Sequence, residues 1–247
     1  MSIRSREELH KLRAIGRIVR RTLDEMSVAV QPGVTTGELN RIGASVLALH
    51  GAESSPPKAY GFPAATCISV NEEAIHGIPG TRVLNEGDLV KLDVTAEKDG
   101  FVADAAVTVR VGAVSSKADA LTRCAERSFR EATKVARAGN RVYEIGRAVE
   151  REVRRSGFNV LRELCGHGVG RAIHEPPSVP NYYDRRCRTR LTEGLVITIE
   201  PIVAAGGGKA ELQNDKWTVS TADGSLAAHY EHTIVITRDA PILLTAA

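Results

Sequence analysis

The chain reads as an α+β fold, with a mainly antiparallel sheet covered by helices on one face. Three observations predict it. Apolar residues recur at helical spacing in two separate helix pairs. Each pair precedes a strand-rich stretch, and most connections there are too short for a crossover helix, which favours antiparallel pairing. Finally, Gly33 and Gly139, Glu38 and Glu144, Arg41 and Arg147, and Gly51 and Gly157 stand at one common interval, a weak internal repeat. Two related halves, roughly 5–111 and 115–238, are therefore expected. No linker lies between them, so 1–247 is expected to form a single domain.

In chain order, Ser5-Arg6-Glu7-Glu8 fits a capping box at a helix start. Leu9, Leu12, Ile15, Val19, Leu23 and Met26 then follow on one face, opposite Lys11, Arg13, Arg17 and Arg21. Pro32-Gly33 breaks this helix. Thr35-Thr36-Gly37-Glu38 opens a second, with Leu39, Ile42, Val46 and Leu49 on its apolar face. Two more helices are expected over about 117–137 and 142–155. Strands are expected over 66–70, 89–95, 101–111, 195–199 and 230–237.

Composition narrows the class. Apolar residues make up 43% and charged residues 26% of 247 residues, which suits an ordinary globular protein with material for a core. A formal charge of +3 does not by itself mark a nucleic-acid binder. No run approaches the ~18 apolar residues of a membrane helix. The N-terminus has no apolar segment of signal-peptide type. Cys67, Cys124, Cys165 and Cys187 form no Cys-x-x-Cys pair, which argues against a thiolate zinc site and fits a reducing cytoplasm.

The most informative segment runs from Leu92 to Asp104. Asp99-Gly100 between two extended runs signals a two-residue hairpin. That turn sets Lys98 opposite Phe101 and Thr95 opposite Asp104. Asp93 shares a face with Thr95, so Asp93 and Asp104 become diagonal neighbours, roughly 7 Å apart between backbones. Strand acids of this kind are either solvated or converge on cations. Their neighbours Leu92, Val94, Val102, Ala105 and Ala106 are apolar, and an unpaired buried charge is costly, which favours cations. Glu200 ends one apolar run and Glu231 begins another. His76, His167 and His174 sit in His-Gly-Ile-Pro, Gly-His-Gly-Val-Gly and Ile-His-Glu-Pro-Pro. A glycine beside a histidine lets the backbone turn tightly. Each such histidine is either solvated in a loop or part of a site. His10 and His50 are read as surface helix residues.

Taken in order, these segments resemble type I methionine aminopeptidases of the pita-bread fold. The match comprises His76-Gly77-Ile78-Pro79, Asp93-Val94-Thr95 with Asp104, Cys165-Gly166-His167-Gly168-Val169-Gly170, His174-Glu175-Pro176, Thr198-Ile199-Glu200-Pro201 and Glu231-His232-Thr233. The resemblance spans essentially the whole chain. It implies that Asp93, Asp104, His167, Glu200 and Glu231 hold two divalent ions, with Asp104 and Glu231 bridging. Manganese, iron, cobalt or zinc would serve, and the oxygen-rich set favours the harder ions. It further implies Glu200 as the base, His174 and His76 as catalytic contacts to the peptide, and Thr95 as an orienting neighbour. The methionine pocket maps to Tyr60, Phe62, Cys67 and Trp217, with His76 and His174 alongside. The implied activity is removal of N-terminal methionine from nascent polypeptides whose second residue is small. The implied setting is a cytoplasmic monomer with no membrane partner.

His229 stands where many relatives carry glutamine, and Ile173 where a bulkier residue is common. Both bear on specificity. Arg185, Arg186, Arg188 and Arg190 cluster in one loop, which is either solvated or a contact for ribosomal RNA. The chain's own Met1-Ser2 meets the small-residue limit, so the mature chain is expected to begin at Ser2. Competing readings are an Xaa-Pro peptidase of the same fold and a non-catalytic module. The first usually carries an additional N-terminal domain, and the second should show broken ligand positions.

Overall fold

The computed structural model describes residues 1–246. Helices α1 (Arg6–Val28) and α2 (Thr36–Leu49) lead through β1 (Glu53–Ser54), the short α3 (Ser55–Tyr60), β2 (Cys67–Val70) and β3 (Glu73–Ile75) into the hairpin β4 (Leu89–Lys98) and β5 (Phe101–Arg110). Helices α4 (Ser116–Thr133) and α5 (Val142–Arg155) follow, then β6 (Asn159–Val160), β7 (Cys165–Gly168), β8 (Glu175–Pro180), β9 (Val196–Ile199) and β10 (Ile202–Ala204). The chain closes with β11 (Ala210–Leu212), β12 (Val219–Thr221), β13 (Ala227–His229), β14 (Glu231–Val235) and β15 (Ile242–Leu243).

A nine-stranded sheet runs β1-β4-β5-β14-β9-β7-β8, with β2 on β4 and β15 on β14. Its ladders are antiparallel, as the short connections predict. Strands from the two expected halves meet where β5 pairs with β14. Period-2 alternation sorts the faces. On β4, Val90, Leu92, Val94 and Ala96 pack into a core with Leu12, Ile15, Val19 and Leu23 of α1. Asp93 and Thr95 point the other way, into a cavity. A second core joins Leu121, Phe129, Ile145 and Val149 of α4 and α5 to Ile197, Ile199 and Ile234. Each such fully buried side chain contributes about 1.5–3 kcal/mol.

The caps differ in detail from the sequence reading. At α2 the full box forms: the Glu38 amide donates to Thr35 Oγ1 at 3.2 Å, and the Thr35 amide to the Glu38 carboxylate at 2.8 Å. At α1 only half forms: Ser5 Oγ accepts from the Glu8 amide, while the Glu8 carboxylate accepts from the Arg4 amide at 2.7 Å. The expected apolar face of α2 is corrected. Leu49 is 78% exposed, and the buried stripe runs through Leu39, Gly43 and Leu47. The cause is close helix contact at Gly43, where an added Cβ would lie 2.8 Å from the Met26 sulfur. Helix α4 stops at Thr133, short of 137, and the Ala138 amide turns to the Thr237 carbonyl at 2.7 Å.

Met1 is folded in. Its ammonium lies 2.5 Å from a Glu175 carboxylate oxygen, and its carbonyl accepts from the Val196 amide at 2.8 Å. Its side chain fills the space beside Gly170, so loss of Met1 would remove contacts from the turn that leads to His174.

Candidate metal centre and active site

The hairpin places the first two acids as the turn predicts. Asp99 and Gly100 take φ of 53° and 79°, and the register pairs Lys98 with Phe101, Thr95 with Asp104, and Asp93 with Ala106. Asp93 and Asp104 thus stand diagonally on the cavity face. Across the β5–β14 seam, Glu231 pairs with Ala106, two residues from Asp104 and on the same face. Glu200 follows β9, and His167 sits on β7, which bridges to β9 at Gly168 and Ile197. Gly168 is required there, because an added Cβ would meet the Pro176 carbonyl oxygen at 2.3 Å.

Asp104, His167 and Glu231 each present a ligand atom within 4.8 Å of the other two, all three residues being buried. His167 Nε2 lies 3.5 Å from Glu200 Oε1 and 3.9 Å from Asp104 Oδ2. The opposite nitrogen, Nδ1, lies 2.9 Å from the Gly168 carbonyl. A carbonyl only accepts, so Nδ1 carries the proton and Nε2 keeps a free lone pair. Threonines orient two acids: Thr95 Oγ1 donates to Asp104 Oδ1, and Thr198 Oγ1 to Glu200 Oε1, both at 2.8 Å. Thr233 holds the Asp104 backbone from β14, accepting from its amide at 2.9 Å and donating to its carbonyl at 2.7 Å. The sequence reading named Thr95 and missed Thr198 and Thr233. The same signal marks all three, a threonine two residues from an acid on a strand.

The electrostatics are those of a cation site. Burial and the neighbouring acids Asp104 and Glu200 push the Asp93 carboxyl up. Burial lifts Asp104 to about 7, against the opposing Thr95 hydrogen bond. Glu200 and Glu231 are likewise raised, chiefly by burial and then by nearby acids. Burial lowers His167 and His76 each to about 4, so both are neutral. No lysine or arginine pairs with these acids among the described residues, and Glu231 Oε1 is buried without a hydrogen-bond partner. Four buried carboxylates, one of them with an orphaned oxygen, and one imidazole lone pair make a donor set that fits divalent metal ions.

These groups line a cavity of about 550 Å³. Phe62, Cys67, Ile75 and Trp217 form part of its apolar wall, with the Phe62 and Trp217 rings edge to face at 5.3 Å. Tyr60 stands half exposed at the rim, and its hydroxyl lies 2.7 Å from His174 Nδ1. The His174 ring lies 4.2 Å from that of His167, centroid to centroid. His76 adopts a left-handed φ of 57°. Gly77 follows where an added Cβ would lie 2.4 Å from the Ile68 carbonyl, which draws the His76 turn onto β2. Ile173 and His229 also line the cavity. The fold therefore gathers every sequence-predicted site residue around one space. By contrast, Arg186 and Arg188 bond within their own loop, to Asp184 and to the Arg185 carbonyl.

The class these features define is a metal-dependent hydrolase of the pita-bread fold. The model of metallopeptidase family M24 matches residues 10–238, and the chain belongs to that family. It is 44% identical over 247 residues to methionine aminopeptidase 2 of Bacillus subtilis, covering 99% of each chain. The solved methionine aminopeptidase of Thermotoga maritima superposes with a TM-score of 0.97 at 35% identity, over 100% of both chains. A prolidase from Pyrococcus furiosus superposes at 0.80 with 22% identity, covering 99% of this chain and 65% of that one, a likeness of fold alone.

Proposed function

We infer that the chain is a type I methionine aminopeptidase, removing N-terminal methionine from polypeptides whose second residue is small. The observation that carries this is the Asp104, His167 and Glu231 cluster at one side of a cavity whose other wall is Phe62, Cys67 and Trp217. An aromatic wall with a thiol suits a flexible thioether side chain. Residues 1–247 act as one catalytic domain of two related halves. Asp93, Asp104, His167, Glu200 and Glu231 would hold two divalent ions, from manganese, iron, cobalt or zinc. Bound ions would supply charge neutralisation and lower the pKa of a water.

The chain's residues supply the rest. Glu200, oriented by Thr198, takes the proton of the water that adds to the scissile carbonyl and passes it to the departing amine. The Tyr60 hydroxyl lies 2.7 Å from His174 Nδ1, and with that hydroxyl as donor the proton of a neutral imidazole stands on Nε2. That Nε2–H donates to the scissile carbonyl as negative charge develops there, the step where one donor is worth most. His76 contacts the peptide near the scissile amide. Phe62, Cys67 and Trp217 seat the methionine, and Tyr60 closes the rim.

The protein acts as a monomer in the cytoplasm on nascent chains, and Arg185, Arg186, Arg188 and Arg190 contact ribosomal RNA. No described helix is long and apolar enough to cross a membrane. The decisive experiment is hydrolysis of a Met-X-Gly peptide series under several divalent metals, with Xaa-Pro peptides in parallel. Cleavage restricted to small X, lost on chelation, is expected. Preference for Xaa-Pro peptides would overturn the assignment. Replacing the four arginines with serine is expected to weaken co-sedimentation with ribosomes and leave peptide hydrolysis intact; unchanged co-sedimentation at low salt would refute the contact.

A further inference from the structure

His229 ends β13, Tyr230 intervenes, and β14 begins at Glu231; both His229 and Glu231 line the cavity. The His229 backbone is clamped on both sides by one hydroxyl. The His229 amide donates to Thr108 Oγ1 at 2.9 Å, and Thr108 Oγ1 donates to the His229 carbonyl at 2.8 Å. The His229 backbone is therefore fixed against β5. The residue is 2% exposed, and neither ring nitrogen has a hydrogen-bond partner. Its Nε2 lies 3.4 Å from Glu231 Oε2, and Glu231 Oε1 has no partner either. Leaving a buried polar group unpaired costs roughly 1–3 kcal/mol. Nε2 and Oε2 stand within hydrogen-bond reach, and a small reorientation of either side chain would satisfy the imidazole donor. Hydrogen bonds in catalytic sites are often long until the site is fully assembled.

We propose that His229 is a positioning residue for Glu231: its Nε2–H donates to Glu231 Oε2 and turns Oε1 toward the metal. This rests on the reading of Glu231 as a metal ligand. The alternative is that the imidazole only fills the cavity wall, and the two differ in what they move. A partner that orients a ligating carboxylate typically sets 10–100-fold in metal affinity or activity. A wall residue acts on substrate binding instead.

Calorimetric titration of zinc into chelator-stripped protein, with kinetics on a Met-Gly peptide, separates them. His229→Leu is expected to weaken zinc binding about 10–100-fold and to lower kcat, with KM little changed. His229→Gln keeps an N–H donor and is expected to recover most of the affinity. Wild-type zinc affinity in His229→Leu with a raised KM would overturn the proposal. Should the leucine variant fail to fold, the wild type still decides. Nitrogen-15 spectra of its histidine rings should show His229 as the Nε2–H tautomer, with that resonance moving on zinc loading, whereas an Nδ1–H tautomer would refute the contact. Glu231→Gln tests the premise: undiminished zinc affinity there would take down the ligand assignment itself, and this proposal with it.

Discussion

Raising the pH from 6 to 8 is expected to strengthen divalent-metal binding by at least about ten-fold, and Asp104 sets that figure. Burial lifts its carboxyl from an ordinary 3.8 to about 7. A carboxyl raised on folding stabilises the metal-free chain fully below its unfolded value, and that contribution is lost as pH rises through about 7. An entering dication must displace the same proton. With a value near 7, the ionised fraction climbs from about one tenth at pH 6 to about nine tenths at pH 8, a rise of about ten-fold in apparent affinity. Asp93, Glu200 and Glu231 are raised in the same direction, by burial and neighbouring acids. His167, lowered to about 4, is already neutral throughout this window and adds no competition. Lys91, lowered to about 7 by burial, titrates here too, but it bonds to the Asn71 carbonyl and does not line the cavity, so metal binding is expected to leave it unchanged. Its contribution therefore cancels in a binding measurement. The assay is calorimetric titration of manganese into stripped protein at pH 6, 7 and 8, repeated in buffers of different ionisation enthalpy to count released protons. An affinity that is flat or falls over this range, or no proton release, would refute the reasoning.

Other perturbations probe the same geometry. Asp104→Asn removes one charge of the Asp104, His167 and Glu231 cluster, so near-complete loss of peptide hydrolysis with lowered metal content by elemental analysis is expected; full occupancy with normal turnover would contradict the ligand assignment. His174→Ala is expected to keep its metal and lose about 10²–10³-fold in kcat, because the donor acts on the transition state. Tyr60→Phe should move kcat the same way by less, since it removes only the bond that fixes the His174 tautomer. Loss of metal in His174→Ala would make that residue a ligand. Gly77→Ala drives a Cβ within 2.4 Å of the Ile68 carbonyl, and backbone there cannot yield cheaply. A destabilisation of about 1–3 kcal/mol is expected in denaturant unfolding of the stripped protein, and an unchanged midpoint would refute the close approach.

How far the sequence could be read depended on whether a residue's partner was local. Asp99-Gly100 demands a turn with φ > 0 at both positions, and that requirement alone carries the register that sets Asp93 diagonal to Asp104. Strands β7 and β8 escaped because Cys-Gly-His-Gly and Glu-Pro-Pro-Ser-Val-Pro lack the alternating apolar pattern that marks a strand, and their pairing is dictated by the close approach at Gly168. The buried stripe of α2 was misplaced for a like reason: a glycine contributes nothing to apolar periodicity, yet Gly43 decides where the helix touches Met26. The roles at the centre lie furthest from local pattern. Asp93 and Asp104 come from the β4–β5 hairpin, while His167, Glu200 and Glu231 come from the strands after α5, and they meet where β5 pairs with β14. Pairing β5 with β14 therefore forces four acids together without a protein cation beside them among the described residues, a cost that protons can relieve near or below pH 7 and that dications would relieve above it. A net charge of +3 over the whole chain conceals this entirely, because the repulsion arises from where the seam puts the charges and not from how many there are.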